Sequence, residues 1–152
     1  MRLYLDSNVF GAYPPYVAWQ GAAADKLFER LRGGNYQLVT STLVAAEIAD
    51  APLSVRTVFT GLSMLPGCDW IYESPVSDAL ADAYIRAGVI TQRHIDDATH
   101  VALATIAGCD ALATWNVSDF VNKATAYNNV NLQEGYATLN ILTPDVILQV
   151  YP

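Results

Sequence analysis

The chain predicts a single α/β domain, residues 1–152, built on a mainly parallel sheet. Three observations carry that class. Short apolar runs alternate with segments of helical periodicity from end to end, the order that builds βαβ units. Several of those runs stop at polar, turn-favouring residues, as strands leaving a sheet do. The composition is that of one sizeable core, with 53% of the 152 residues hydrophobic and a mean hydropathy of +0.22, and no repeat, low-complexity tract or linker divides it.

Arg2-Leu3-Tyr4-Leu5 reads as a buried strand that ends at Asp6-Ser7-Asn8. Residues 11–16, with Pro14-Pro15, read as a loop. Residues 17–32 follow helical spacing through Trp19, Ala23, Leu27, Phe28 and Leu31, and Gly33-Gly34-Asn35 ends that helix. A strand is expected over 36–39. Thr40-Ser41-Thr42 then offers an N-cap to a helix over 43–50, which Pro52 closes. A further helix is expected over 53–65 and an extended edge over 69–72. Ser74-Pro75 opens a helix to about residue 87, with Ala79, Leu80, Ala83 and Tyr84 inward, and residues 89–93 form a connection.

His94-Ile95-Asp96-Asp97 leads into the small-residue helix 98–107, whose alanines suit close packing on a sheet. Residues 111–114 are a buried strand. It runs into Trp115-Asn116-Val117-Ser118-Asp119, with a helix starting near Phe120. The Asn-rich stretch 123–133 reads as a loop. A last strand at 139–141 precedes a helix capped by Thr143-Pro144-Asp145 and running through Val150.

Four acids share one description. Asp6 and Asp119 follow strands, Asp97 opens a helix packed on the sheet, and Glu47 lies beside the apolar stripe of its helix with Leu43, Val44 and Ile48. Each also has a simpler role. Asp6 suits an Asx turn, Asp119 a helix cap, and Glu47 a snorkelling side chain or an Arg partner. One of Asp96 and Asp97 suffices as cap and dipole partner, and the second, about 100° around the helix, has no local explanation. His100, alone on an apolar helix, suits a structural role better than a ligand.

If the four acids meet at the carboxyl edge of the sheet, where open α/β sheets bind ligands, their mutual repulsion calls for a divalent cation. An all-oxygen set selects Mg²⁺ or Mn²⁺ over zinc, and such a site serves phosphate chemistry. The net charge of −7 excludes a broad basic face for nucleic acid, yet bound cations invert the local field. No P-loop, dinucleotide fingerprint, nucleophile elbow or zinc-protease motif is present. Cys68 and Cys109 stand far apart and read as inert thiols of a reducing compartment. With neither a signal peptide nor a membrane span, the expectation is a cytoplasmic protein.

Leu5-Asp6-Ser7-Asn8-Val9-Phe10, Glu47 in a helix after Ser41-Thr42, Asp97-Ala98-Thr99-His100-Val101-Ala102-Leu103-Ala104, and Thr114-Trp115-Asn116-Val117-Ser118-Asp119-Phe120 together resemble a PIN domain, in particular the VapC-like ribonucleases of toxin–antitoxin modules. The order and spacing of these short motifs span nearly the whole chain. The resemblance implies a Rossmann-like three-layer α/β/α sandwich and cleavage of single-stranded RNA with Mg²⁺ or Mn²⁺. It places metal binding and catalysis on Asp6, Glu47, Asp97 and Asp119, with Asp97 a better match than Asp96. Asp96, Asn8, Thr114 and Asn116 become candidates to support the ligands. It further implies an antitoxin protein as partner and a homodimer. Two other classes fit the same residues: an inactive scaffold that binds protein through an exposed face, and a phosphatase or nucleotide hydrolase.

Overall fold

The computed structural model describes residues 1–11 and 17–152. Beyond Gly11, the loop expected over 11–16 lies outside the described residues. Among the described residues five strands form one parallel sheet: β1 (Arg2–Leu5), β2 (Gln37–Ser41), β3 (Asp69–Ile71), β4 (Ala111–Ala113) and β5 (Asn140–Leu142). Their order across the sheet is β3-β2-β1-β4-β5. Tyr4 pairs with Val39 on one side and Leu112 on the other. The strands β1 and β4 are almost wholly buried, as expected of parallel strands covered on both faces.

Among the described residues seven α-helices flank the sheet in an α/β sandwich: α1 (Ala18–Arg32), α2 (Thr42–Ile48), α3 (Leu53–Ser63), α4 (Pro75–Arg86), α5 (Ile95–Ile106), α6 (Ala124–Gln133) and α7 (Pro144–Val150). Helix α1 packs against α7 and α3, and α4 against α5 and α6. The alanine-rich run of α5 is buried without a break from Ala98 to Thr105. Side chains this small bring a helix close enough to the sheet to bury its whole girth. No helix among the described residues is long and apolar enough to cross a membrane.

The chain runs outward from β1 through β2 to β3, then crosses back to place β4 beside β1. The order therefore reverses between β1 and β4, and the crevice at their carboxyl ends is the topological switch point. Crossover helices run antiparallel to the strands, so the first turn of α5 opens on that same edge. At the amino edge, Arg2 donates to Asp69 Oδ2 at 2.6 Å and to the Ala107 carbonyl at 2.9 Å. The strand's one guanidinium is thus spent at the end of the sheet opposite Asp6.

Several expectations are corrected. The stretch 123–133 is helical rather than a loop: a 3-10 turn (Val121–Lys123) leads directly into α6. Its asparagines are tertiary ligands, not turn formers. Asn131 is buried and accepts from the Tyr84 hydroxyl, while donating to Thr105 Oγ1 at 3.3 Å. Asn128 Nδ2 donates to the Leu139 carbonyl at 2.9 Å and Asn128 Oδ1 accepts from the Leu139 N–H at 2.7 Å. Strand β5 begins one residue later than expected, at Asn140. Ala79 is exposed. Ala23, Leu27, Phe28 and Leu31 are buried on α1, but Trp19 is 56% exposed. It meets Trp115 edge to face, with ring centroids 5.5 Å apart.

Candidate metal centre

Asp6 leaves β1 with extended backbone (φ −63°, ψ 148°) and opens the 3-10 turn Ser7–Phe10. Its N–H continues the ladder to the Ala113 carbonyl at 3.0 Å, so the carboxyl group emerges between β1 and β4. Thr114, the first residue past β4, donates its hydroxyl to Asp6 Oδ2 at 2.8 Å. Thr114 Oγ1 itself accepts from Asn8 Nδ2 at 3.2 Å and from the Asn116 N–H at 3.0 Å. Asn8 Oδ1 in turn accepts from the Trp115 N–H at 3.1 Å. Asn8, Thr114 and Asn116 therefore form one hydrogen-bonded unit behind Asp6. Asp6 is only 6% exposed. Burial raises its pKa and the Glu47 charge adds to this, against the opposing pull of His100, Thr114 and Ser7.

Glu47 is half-buried on α2 and bonds His100 Nε2. This is neither the arginine partner nor the free solvated side chain open to it from sequence. His100 is 1% exposed, and its Nε2 also lies 3.9 Å from Asp6 Oδ1. On the far side of the ring, Nδ1 is 2.8 Å from the Tyr4 hydroxyl, which is 2.8 Å from Ser41 Oγ. Ser41 caps α2, accepting from the Val44 N–H at 3.2 Å. Burial pushes the Tyr4 phenol far up, keeping it protonated. Burial alone would lower the His100 pKa, but the Glu47 bond and the charges of Asp6, Glu47 and Asp97 outweigh it and the net direction is up.

A second group stands beside the first. Asp97 Oδ2 lies 3.8 Å from His94 Nδ1, and Asp119 Oδ1 lies 3.8 Å from Lys123 Nζ. Asn116 shapes the loop that presents Asp119: its Oδ1 accepts from the Asp119 N–H at 3.2 Å, and its Nδ2 donates to Asp119 Oδ2 at 3.4 Å. The Asp97 pKa is pushed up to about 6, first by burial and then by the negative charges of Asp6 and Asp119. Asp96, one residue away, is exposed and belongs to neither group.

Two sets of ligand atoms each lie within 4.8 Å of one another: Asp6, Glu47 and His100, and His94, Asp97 and Asp119. Among the described residues no arginine pairs with these acids, and Lys123 reaches Asp119 only at the margin. Acids whose neighbours' charges help to raise the pKa of Asp6 and of Asp97 fit a divalent cation, which would favour their ionised forms. The expectation of an all-oxygen set needs amendment, since both groups contain an imidazole. His100 Nε2 is already engaged by Glu47 and its Nδ1 by Tyr4, however, so carboxylate oxygens remain the donors in the first group. Oxygen donors suit Mg²⁺ or Mn²⁺.

Sequence reasoning assigned His100 to structure and did not single out Tyr4. Both signals were present. His100 lies three residues after Asp97, on the same face of α5. Tyr4 lies two residues before Asp6, on the same face of the strand.

No family model matches the chain, and no curated protein matches it in sequence. Among solved structures, its fold is similar to that of a chain in the crystal structure of VapBC2 from Rickettsia felis bound to a DNA fragment from their promoter. The TM-score is 0.58 at 14% identity, over 93% of this chain and 98% of that one. The likeness is one of fold, and it agrees with the PIN-like sandwich that the sequence motifs imply.

Proposed function

We propose that this chain, acting as one PIN-like domain, is an endoribonuclease that cleaves single-stranded RNA with Mg²⁺ or Mn²⁺. The observation that supports the reading is a pair of acid-containing clusters, Asp6 and Glu47 with His100 and Asp97 and Asp119 with His94, on a parallel sheet with a switch point, the charges of Asp6 and Asp119 helping to push the Asp97 pKa up to about 6. A divalent cation held there supplies charge neutralisation and Lewis acidity toward water and a phosphodiester. Asp6, Asp97 and Asp119 hold it. Glu47, turned toward Asp6, binds it directly or orients the attacking water. Thr114, Asn8 and Asn116 keep Asp6 and Asp119 in place. Lys123, beside Asp119, offers positive charge to the RNA backbone, and His94, beside Asp97, a hydrogen-bonding ring.

The fold shared with a VapBC2 chain supports the further reading of a type II toxin partnered by an antitoxin, and we propose in addition that it works as a cytoplasmic homodimer. The test is cleavage of labelled single-stranded RNA with Mg²⁺, Mn²⁺ or EDTA. Losing a group that merely orients a ligand costs about 10- to 100-fold. Asp97→Asn, folded by circular dichroism, should therefore lower cleavage by about 100-fold or more. No cutting with any cation, or equal cutting by the variant, would favour a protein-binding scaffold instead. Turnover of mononucleotides alone would favour a nucleotide hydrolase.

A further inference from the structure

We infer that His100 is a positioning residue: through a buried hydrogen-bond chain that joins it to Tyr4 and Ser41, it holds the Glu47 carboxylate against Asp6. The inference rests on the nuclease reading for its effect on the cation, but the chain itself belongs to the metal-free protein.

The proton positions follow from donor and acceptor accounting. Ionised Glu47 can only accept, so the proton of the Glu47–His100 contact sits on Nε2. Nε2 carries a proton in the neutral and in the charged ring alike, whereas Nδ1, 2.8 Å from the Tyr4 hydroxyl, accepts from it in the neutral ring and donates to it in the charged one. With the ring neutral, the Tyr4 oxygen is free to accept from Ser41, 2.8 Å away. Ser41 Oγ has its own lone pair filled by the Val44 N–H at the start of α2. The chain thus leaves the N-cap of α2, crosses β1 and α5, and returns to α2 at Glu47. Three elements are tied by one hydrogen-bonded path, and Ser41, Tyr4 and His100 are all fully buried. Burial matters because a glutamate on an open helix face samples several rotamers, whereas a buried imidazole locked at both nitrogens offers a single donor direction. His100 Nε2 lies 3.9 Å from Asp6 Oδ1, so Glu47 is anchored beside Asp6 and does not swing to solvent.

The first test is proton and nitrogen NMR of the His100 ring in the metal-free protein. The expected result is a slowly exchanging Nε2–H signal that shifts in Glu47→Gln, with unprotonated Nδ1 in the neutral ring. Absence of that proton, or a signal indifferent to the Glu47 change, overturns the chain. The second test is Mn²⁺ affinity by calorimetry in a double-mutant cycle. His100→Leu should weaken Mn²⁺ binding about 10- to 100-fold. His100→Gln, whose amide can donate toward Glu47, should recover most of it, and in a Glu47→Ala background His100→Leu should add no further loss. An equal loss in both backgrounds overturns positioning through Glu47. If His100→Leu does not fold, Tyr4→Phe removes the donor to Nδ1 while keeping the ring in the core, and should shift the Nε2–H signal. An unshifted signal overturns the role of Tyr4. Should the wild type bind no Mn²⁺, the nuclease reading falls and the NMR result alone decides the chain.

Discussion

Thr114 shows how much a single hydroxyl organises. It donates to Asp6 and accepts from both Asn8 and the Asn116 backbone, so one oxygen sets the carboxylate, the turn after β1 and the loop after β4. Thr114→Val preserves the shape and deletes all three bonds. Leaving buried polar groups unpaired costs about 1–3 kcal/mol. The variant should lose that much stability in urea unfolding while retaining native circular dichroism. A loss within error of zero would mean that water replaces the hydroxyl. Asp96 and Asp97 make the complementary point. They are adjacent and chemically identical, yet one is exposed and the other faces Asp6 and Asp119. The turn of a helix separates a solvated charge from a candidate ligand.

Among the elements, α6 is the one whose composition misled. Asn is a modest helix former that favours turns because its side chain competes for the backbone. Here that capacity is used up elsewhere. Asn128 closes both backbone groups of Leu139, and Asn131 is buried against Tyr84 and Thr105. Asn128→Ala would orphan the buried Leu139 peptide groups just before β5. It should destabilise the protein by about 1–3 kcal/mol and speed amide exchange at 139–142 more than in β1. Uniform exchange across the sheet would show instead that β5 opens only with the whole molecule. Helix α5 is the opposite case: its run of small residues announced close packing, and its central residues are all buried.

For the whole molecule, the dominant electrostatic fact is an acidic chain, net −7, that concentrates part of its charge at one sheet edge. In the metal-free protein Asp97 titrates near 6, above its ordinary value, so between about pH 4 and 6 the folded state holds more protons than the unfolded one. Its contribution to stability is therefore full at acid pH and is lost as pH rises through 6. Asp6 acts in the same direction. A cation bound by the ionised carboxylates reverses the sign. Added Mn²⁺ should raise the melting temperature clearly at pH 7.5 and much less at pH 5, where protons compete for the same oxygens. A thermal shift independent of pH would mean that Mn²⁺ binds elsewhere.

The local signals settle a large part of this protein by themselves. The alternation of apolar runs with helical periodicity determines a parallel α/β sheet, because crossover connections leave little other choice. Asp6 and Asp119 follow strands, and Asp97 opens a helix, at positions that any such sheet brings to one edge. What only tertiary structure decides is which neighbours those acids meet. The 108-residue reach from Thr114 to Asp6 and the 53-residue reach from His100 to Glu47 depend on β4 returning beside β1 and on α5 packing over Tyr4. Side-chain periodicity encodes the face a residue occupies but not the partner across the gap. His100 and Asn131 therefore look unremarkable in the chain and acquire their roles only when the sheet order brings distant hydrogen-bonding atoms together in a buried, low-dielectric interior, where each must find a partner.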